Sequence, residues 1–232
     1  MPFAEEFLKD GKWNIRMLRE CISATEAELI SQILISQTSS PDKLIWHFDS
    51  KGRYTVKSGY KQALALVNRP VATTALFLIM YASAATANLD SCSLTSPWWI
   101  PPHGCSVKLN CDAAFKDSKA AFDIVVRDST GCLCYVLGNC CHAISPTHAE
   151  IIAVHSACSL AFNRGWLNAI MESNSQVAIS LSFLDSPPPW CLAALVDDIR
   201  LWSSSMQLSF LWVNRERNQA ADWFPVTRFQ TL

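Results

Sequence analysis

A chain of 232 residues, half of them hydrophobic and 17% charged, can form one ordinary core with an attached segment or two small domains, and is too apolar for wholesale disorder. The formal net charge is −1, and residues 98–232 carry 9 Lys and Arg against 11 Asp and Glu, which argues against the basic face of a tight nonspecific phosphate binder. The ten cysteines include no C-x-x-C pair and the five histidines no ligand-like spacing to them, so no zinc site is expected and the thiols read as reduced.

In chain order, Met1 is followed by Pro2, Glu5 and Glu6, without the apolar run of a signal peptide, and an intracellular location is expected. Ser23-x-x-Glu26 is a capping-box pattern ahead of Leu29, Ile30, Ile33, Leu34 and Ile35, which predicts a short amphipathic helix. Leu44, Trp46 and Phe48 alternate with Ile45, His47 and Asp49 as in a strand. Asp49–Gly52 reads as a turn, Arg53–Lys57 as the returning arm of a hairpin, and Ser58–Leu66 as a helix. Residues 68–97 lack a period and read as a linker. Pro70–Leu89 is uncharged and close to the length of a membrane span, but Thr73, Thr74, Ser83, Thr86 and Asn88 dilute it, so a small buried helix or irregular linker is the favoured reading.

Beyond residue 98 the pattern sharpens. Val107–Phe115 alternates about Leu109 and Cys111, Ala121–Arg127 is an apolar run closed by the turn Asp128-Ser129-Thr130-Gly131, and Cys132–Gly138 returns. Ser145-Pro146-Thr147 opens a long helix to about Arg164, stopped by Gly165. Asn168–Glu172 reads as a strand and Ser175–Leu184 as a helix. After the break at Pro187-Pro188-Pro189, Leu192–Ser203 reads as a helix, Gln207–Val213 as a strand, and Asn218 as the start of a last helix. The order βββ-α-β-α-α-β-α implies a mixed sheet with helices packed on it, an α/β fold.

Several phrases share one family's order and spacing. They are Trp99-x-Pro101-Pro102-x-Gly104, Lys108-Leu109-Asn110-Cys111-Asp112-Ala113-Ala114-Phe115, Ile124-Val125-Val126-Arg127-Asp128-x-x-Gly131, Ala149-Glu150-x-x-Ala153, Glu172-Ser173-Asn174-Ser175 and Arg215-Glu216-Arg217-Asn218-x-x-Ala221-Asp222. Together they resemble the ribonuclease H-like domains of plant non-LTR retrotransposon polyproteins. Asp42–His47 with Gly52–Tyr60 resembles the stretch that follows reverse transcriptase in those polyproteins, without the zinc-binding module or polymerase body. The resemblance implies a remnant in three parts: 1–67 from downstream of the reverse transcriptase, a linker at 68–97, and a ribonuclease H-like domain at 98–227 with a five-stranded mixed sheet.

The activity the resemblance implies is hydrolysis of the RNA strand of an RNA–DNA hybrid, with two Mg2+ (or Mn2+) ions flanking the scissile phosphate. Carried over residue by residue, Asp112 stands at the first carboxylate position, Glu150 at the second and Asp222 at the fourth, all expected as metal ligands. The third position, an aspartate in the family, is Asn174 here. An amide oxygen brings no charge. A unit pair at about 4 Å is worth roughly 4 kcal/mol at an effective dielectric near 20, about three decades in rate. Weak metal binding and little turnover are therefore expected. Trp212 stands where the family often has histidine, and the glycines usual before the second strand are replaced, with Asp123 next to Ile124. The competing reading is a noncatalytic remnant that binds nucleic acid or protein.

Each site residue also has a plainer explanation. Thr147-x-x-Glu150 is itself a capping-box pattern, Asp222 near a helix start is favoured by the dipole, and Asn174 reads as a turn residue. Asp112 in an apolar strand is harder to explain structurally, because a buried carboxylate is costly without partners. Trp98, Trp99, Trp166, Trp202 and Trp212 are expected to pack structurally rather than stack on bases.

Overall fold

Side-chain alternation on one long strand organises the domain. In the computed structural model, which describes residues 4–38, 45–55, 57–59, 61–62 and 99–221, this strand is β3 (Val107–Lys116). Leu109 and Cys111 are fully buried in the core cluster on one face of the sheet, while Lys108, Asn110 and Asp112 point to the other. The elements before it are a single 3-10 turn (Ala4–Phe7), the two-residue strands β1 (Leu8–Lys9) and β2 (Lys12–Trp13), and helices α1 (Ile15–Cys21) and α2 (Ala24–Ser31). After it come β4 (Lys119–Arg127), β5 (Leu133–His142), α3 (Pro146–Asn163), β6 (Asn168–Ser173), α4 (Gln176–Phe183), α5 (Ala193–Ser205) and β7 (Gln207–Trp212).

The five-stranded sheet runs β5-β4-β3-β6-β7. The first three strands are antiparallel in chain order, and β6 and β7 add in parallel, as helical crossovers require. This is the mixed sheet expected from the resemblance. Helix α3 covers one face, burying Ile151, Ile152, Val154, Ala157 and Cys158 against β3 and β4. The other face, at Asn110 and Asp112, is met by the segment carrying Asn218 and Ala221, both fully buried.

Local chemistry explains the element ends. Ser145 caps α3 by accepting from His148 N, Pro146 takes the first helical position, and Gly165 leaves the helix at φ +67°. Arg200 of α5 donates to the carbonyls of Leu181, Leu184 and Ser186 and so closes the C-terminal end of α4. Asp128 Oδ1 accepts from Thr130 N, Thr130 Oγ1 and Cys132 N, shaping the expected turn between β4 and β5. The capping box of Ser23 and Glu26 is formed.

Three expectations need correction. Residues 45–55 form turns rather than two strand arms: Trp46 N donates to Gly52 O, and Asp49 Oδ2 accepts from Lys51 N and Arg53 N. Trp46 meets Phe48 and Tyr54 edge-on at 5.2 and 4.9 Å, so the aromatic alternation builds a local cluster instead of a ladder. The N-terminal hairpin lies earlier, at Leu8–Trp13 about Asp10-Gly11. Thr147 and Glu150 make no capping box, because Ser145 holds the cap and Glu150 is the fifth helical residue.

By contacts, Met1–Asp42 groups with Trp98–Leu232, and Lys43–Pro97 is a separate unit. Residues 57–59 and 61–62 are helical, and the rest of the helix expected to Leu66 lies outside the described residues, as do 68–97. Among the described residues no helix is long and apolar enough to cross a membrane.

Candidate functional site

Asp112 lies where the sheet opens. The parallel pairing of β3 with β6 runs only from Val107–Ala169 to Asn110–Glu172, so beyond Asn110 the strand continues beside β4 alone. Asp112 is 4% exposed and stands directly across from Asp123, which is fully buried. Like charges at opposed positions repel, so placing two carboxyl groups side by side here is costly.

Glu150, the fifth residue of α3, is half-buried. Burial drives the Cys111 thiol well above its ordinary value, and the negative fields of Glu150, Asp112 and Glu172, with a contribution from Cys158, add to that shift. One buried sulfur on β3 therefore feels carboxylates from β3, α3 and β6. At the start of α3, Ile144 N donates to His148 Nδ1, and burial with the nearby His142 holds His148 down to about 4, so it remains neutral.

Asn174 follows β6 and is half-buried. Its backbone carbonyl accepts from Trp212 Nε1 at 3.0 Å, and its side-chain oxygen accepts from Asn218 Nδ2 at 3.5 Å. Asn218 Nδ2 also donates to Cys111 O at 2.9 Å, and its oxygen accepts from Asn110 Nδ2 at 3.1 Å. Asn218 thus ties the Asn174 amide to the β3 backbone one residue before Asp112. The tryptophan in the usual histidine position is a structural donor to the Asn174 loop. Asp222 lies outside the described residues.

Lys108, Asn110, Glu172 and Asn218 stand in the family phrases, but sequence reasoning assigns them no role. Lys108 Nζ meets Glu172 Oε1 at 2.8 Å, Asn110 Nδ2 donates to Glu172 Oε2 at 2.8 Å, and Arg127 donates to Asn110 Oδ1 at 2.8 Å. Trp99 lies flat under this group, 3.6 Å from the Arg127 guanidinium carbon and 5.4 Å from Lys108 Nζ. The alternation of polar residues 108, 110 and 112 was the available signal: three polar side chains on one face of a buried strand require a network.

Among the described residues no group of three or more His, Cys, Asp and Glu side chains could hold a metal ion. The described members of the carried-over set, Asp112, Glu150 and Asn174, offer oxygen donors only. That chemistry suits a hard divalent cation and not zinc in a thiolate site.

Three antiparallel strands extended by two parallel ones, with a long helix over the sheet and acidic groups at the end of its central strand, define a ribonuclease H-like fold. The family model described as "Reverse transcriptase-like" matches residues 110–225, half of the chain, and the chain belongs to that family. Comparison with curated proteins gives no match. Among solved structures the chain is similar to the N-terminal RNase H domain of a Mycobacterium tuberculosis protein, with 17% identity over 55% of this chain and 96% of that one and a TM-score of 0.48. It is similar also to RNase H1 from Halobacterium salinarum, with 19% identity over 55% and 99% and a TM-score of 0.48. A third similar structure, LC11-RNase H1 in complex with an RNA/DNA hybrid, has 18% identity over 50% and 91% and a TM-score of 0.44.

Proposed function

We propose that this chain is a ribonuclease H-type module descended from a plant retrotransposon polyprotein, that its partner is an RNA–DNA hybrid, and that Asn174 impairs its divalent-metal site. On this reading residues 98–227 form the module, 1–67 derive from the region downstream of a reverse transcriptase, and 68–97 join them. The observation that carries the reading is the linkage around Cys111 and Asn218. Asn218 joins the Cys111 carbonyl, one residue before Asp112, to the Asn174 amide. Asn218 thereby links positions 44 and 107 residues away in the chain.

Bound divalent cations supply Lewis-acid activation of water and of the scissile phosphate. Asp112, Glu150 and Asp222 would hold them. Asn174 contributes a neutral oxygen in the remaining position, so the charge opposing the cations is one unit short. Binding of Mg2+ or Mn2+ is weak and hydrolysis slow for that reason. The absence of a basic excess in residues 98–232 favours the second reading, a noncatalytic module.

Manganese titration by calorimetry tests the site. The expected result is weak saturable binding that disappears in Asp112→Ala and tightens in Asn174→Asp. Cleavage of a labelled hybrid should rise on the order of a thousandfold in Asn174→Asp, the loss of one unit charge reversed. Identical manganese isotherms for wild type and Asp112→Ala overturn the metal site. Tighter binding in Asn174→Asp without cleavage leaves the site in place and selects the noncatalytic reading.

A further inference from the structure

Asp198, in the middle of α5, is fully buried, and the candidate site does not use it. A buried carboxylate is stable only with donors around it. The ribonuclease H-like unit supplies one, His155 Nε2 of α3 at 3.0 Å, whose ring packs on Trp202 at 5.0 Å. Four further donors come from a single short segment near the other end of the chain. Ser36 Oγ, at 2.6 Å, Thr38 Oγ1, at 2.5 Å, and Thr38 N, at 3.2 Å, donate to Asp198 Oδ1, and Gln37 N donates to Oδ2 at 2.7 Å. The Gln37 side-chain oxygen accepts from Ser159 Oγ of α3 at 3.0 Å. The segment thus touches both helices, and its two hydroxyls flank two backbone N–H groups turned toward one carboxylate.

We infer that the α3–α5 face, with Asp198 as its anchor, is an intramolecular docking site for the segment Ser36–Thr38, and that residues 4–38 fold only as part of the ribonuclease H-like unit. Two observations beyond the hydrogen bonds carry this. Helices α1 and α2 have seven and eight residues. Helices this short are unstable alone. Among their described side chains only Leu18 and Ala27 are buried, too little apolar surface for an independent core. The N-terminal segment therefore takes its order from the docking contact, and Asp198 in turn takes four of its five hydrogen bonds from the segment. A hydroxyl-x-hydroxyl tripeptide facing a buried Asp–His pair is the recognition element. The inference stands apart from the metal site and survives if that site fails.

The test is amide hydrogen exchange on the full chain in two variants made from opposite sides of the contact, Asp198→Asn and the double variant Ser36→Ala, Thr38→Val. In both, protection at Gln37 and Thr38 and across α1 and α2 is expected to fall at least about tenfold, while β3 and β4 keep wild-type protection. Cleavage between Ile33 and Asp42 by a low dose of protease should rise in parallel. Where Asp198→Asn loosens the whole sheet as well, the double variant, which leaves the carboxylate and its histidine intact, decides alone. Wild-type protection of α1 and α2 in the double variant overturns the inference, as does rapid exchange of Gln37 and Thr38 in the wild-type chain.

Discussion

Lys108 and Glu172 meet almost without water, their side chains 7% and 6% exposed. Such a pair is held by its surroundings as much as by its own attraction, because each charge has lost its hydration. Lys108 Nζ also donates to Ile100 O at 2.7 Å, and Glu172 takes a second hydrogen bond from Asn110. Replacing Glu172 alone strands the lysine. Glu172→Ala is expected to cost about 3–5 kcal/mol, read as a lowered urea midpoint with an unchanged slope. The double variant Lys108→Met, Glu172→Leu should recover most of that loss. Equal destabilisation in the single and double variants would show that shape, not charge, holds this end of β3. None of this was legible residue by residue. Asn218 looks in sequence like a polar residue at a helix start, and its bonds to Asn110, Cys111 and Asn174 exist only once three elements meet. The burial of Asp112, by contrast, was legible, because a carboxylate set among Leu109, Cys111 and Ala113 is anomalous on sequence grounds alone.

The elements that sequence reasoning located best have chemical punctuation at both ends. Helix α3 is bracketed by Ser145-Pro146 and Gly165, and β4 is closed by Asp128–Gly131, so their bounds were close to those found. The connection from β3 to β4 carries a weaker signal. It is a two-residue turn in which Asp117 and Ser118 both have positive φ, 50° and 62°. Hairpins of this kind favour glycine at the second position, and a residue with a Cβ is strained there. Ser118→Gly is therefore expected to stabilise the protein by about 0.5–1 kcal/mol, a rise of roughly 2–4 °C in Tm for a unit of this size. A lowered Tm would mean that the serine hydroxyl contributes more than its backbone strain costs. The cap of α3 works in the opposite direction. Ser145→Ala removes the acceptor of His148 N and should cost about 1 kcal/mol, measured by the same melting experiment.

Across the whole molecule the main surprise is that Met1–Asp42 groups with Trp98–Leu232, a partition that periodicity cannot reveal when the partners are 162 positions apart. The same contact is expected to make the protein acid-sensitive in a defined window. Burial pushes Asp198 up, but hydrogen bonds from His155, Ser36, Thr38 and Gln37 together outweigh it and hold the carboxyl down at about 2. In the unfolded chain the group titrates near its ordinary value of about 3.9. Above that value it is charged in both states and its contribution to stability is complete. Between about 4 and 2 the unfolded chain takes up a proton that the folded chain refuses, and the contribution falls away by on the order of 1–2 kcal/mol. Other carboxylates titrate over the same range, so the decisive quantity is a difference. Urea midpoints at about pH 5 and about pH 3 should fall further for the wild type than for Asp198→Asn, which has no proton to take up at that position. Helices α1 and α2 should lose exchange protection in the wild type before β3 does, because acid removes the anchor while the sheet keeps its own ladders. If the two proteins lost stability equally between those pH values, Asp198 would not be the group through which acid loosens the N-terminal segment.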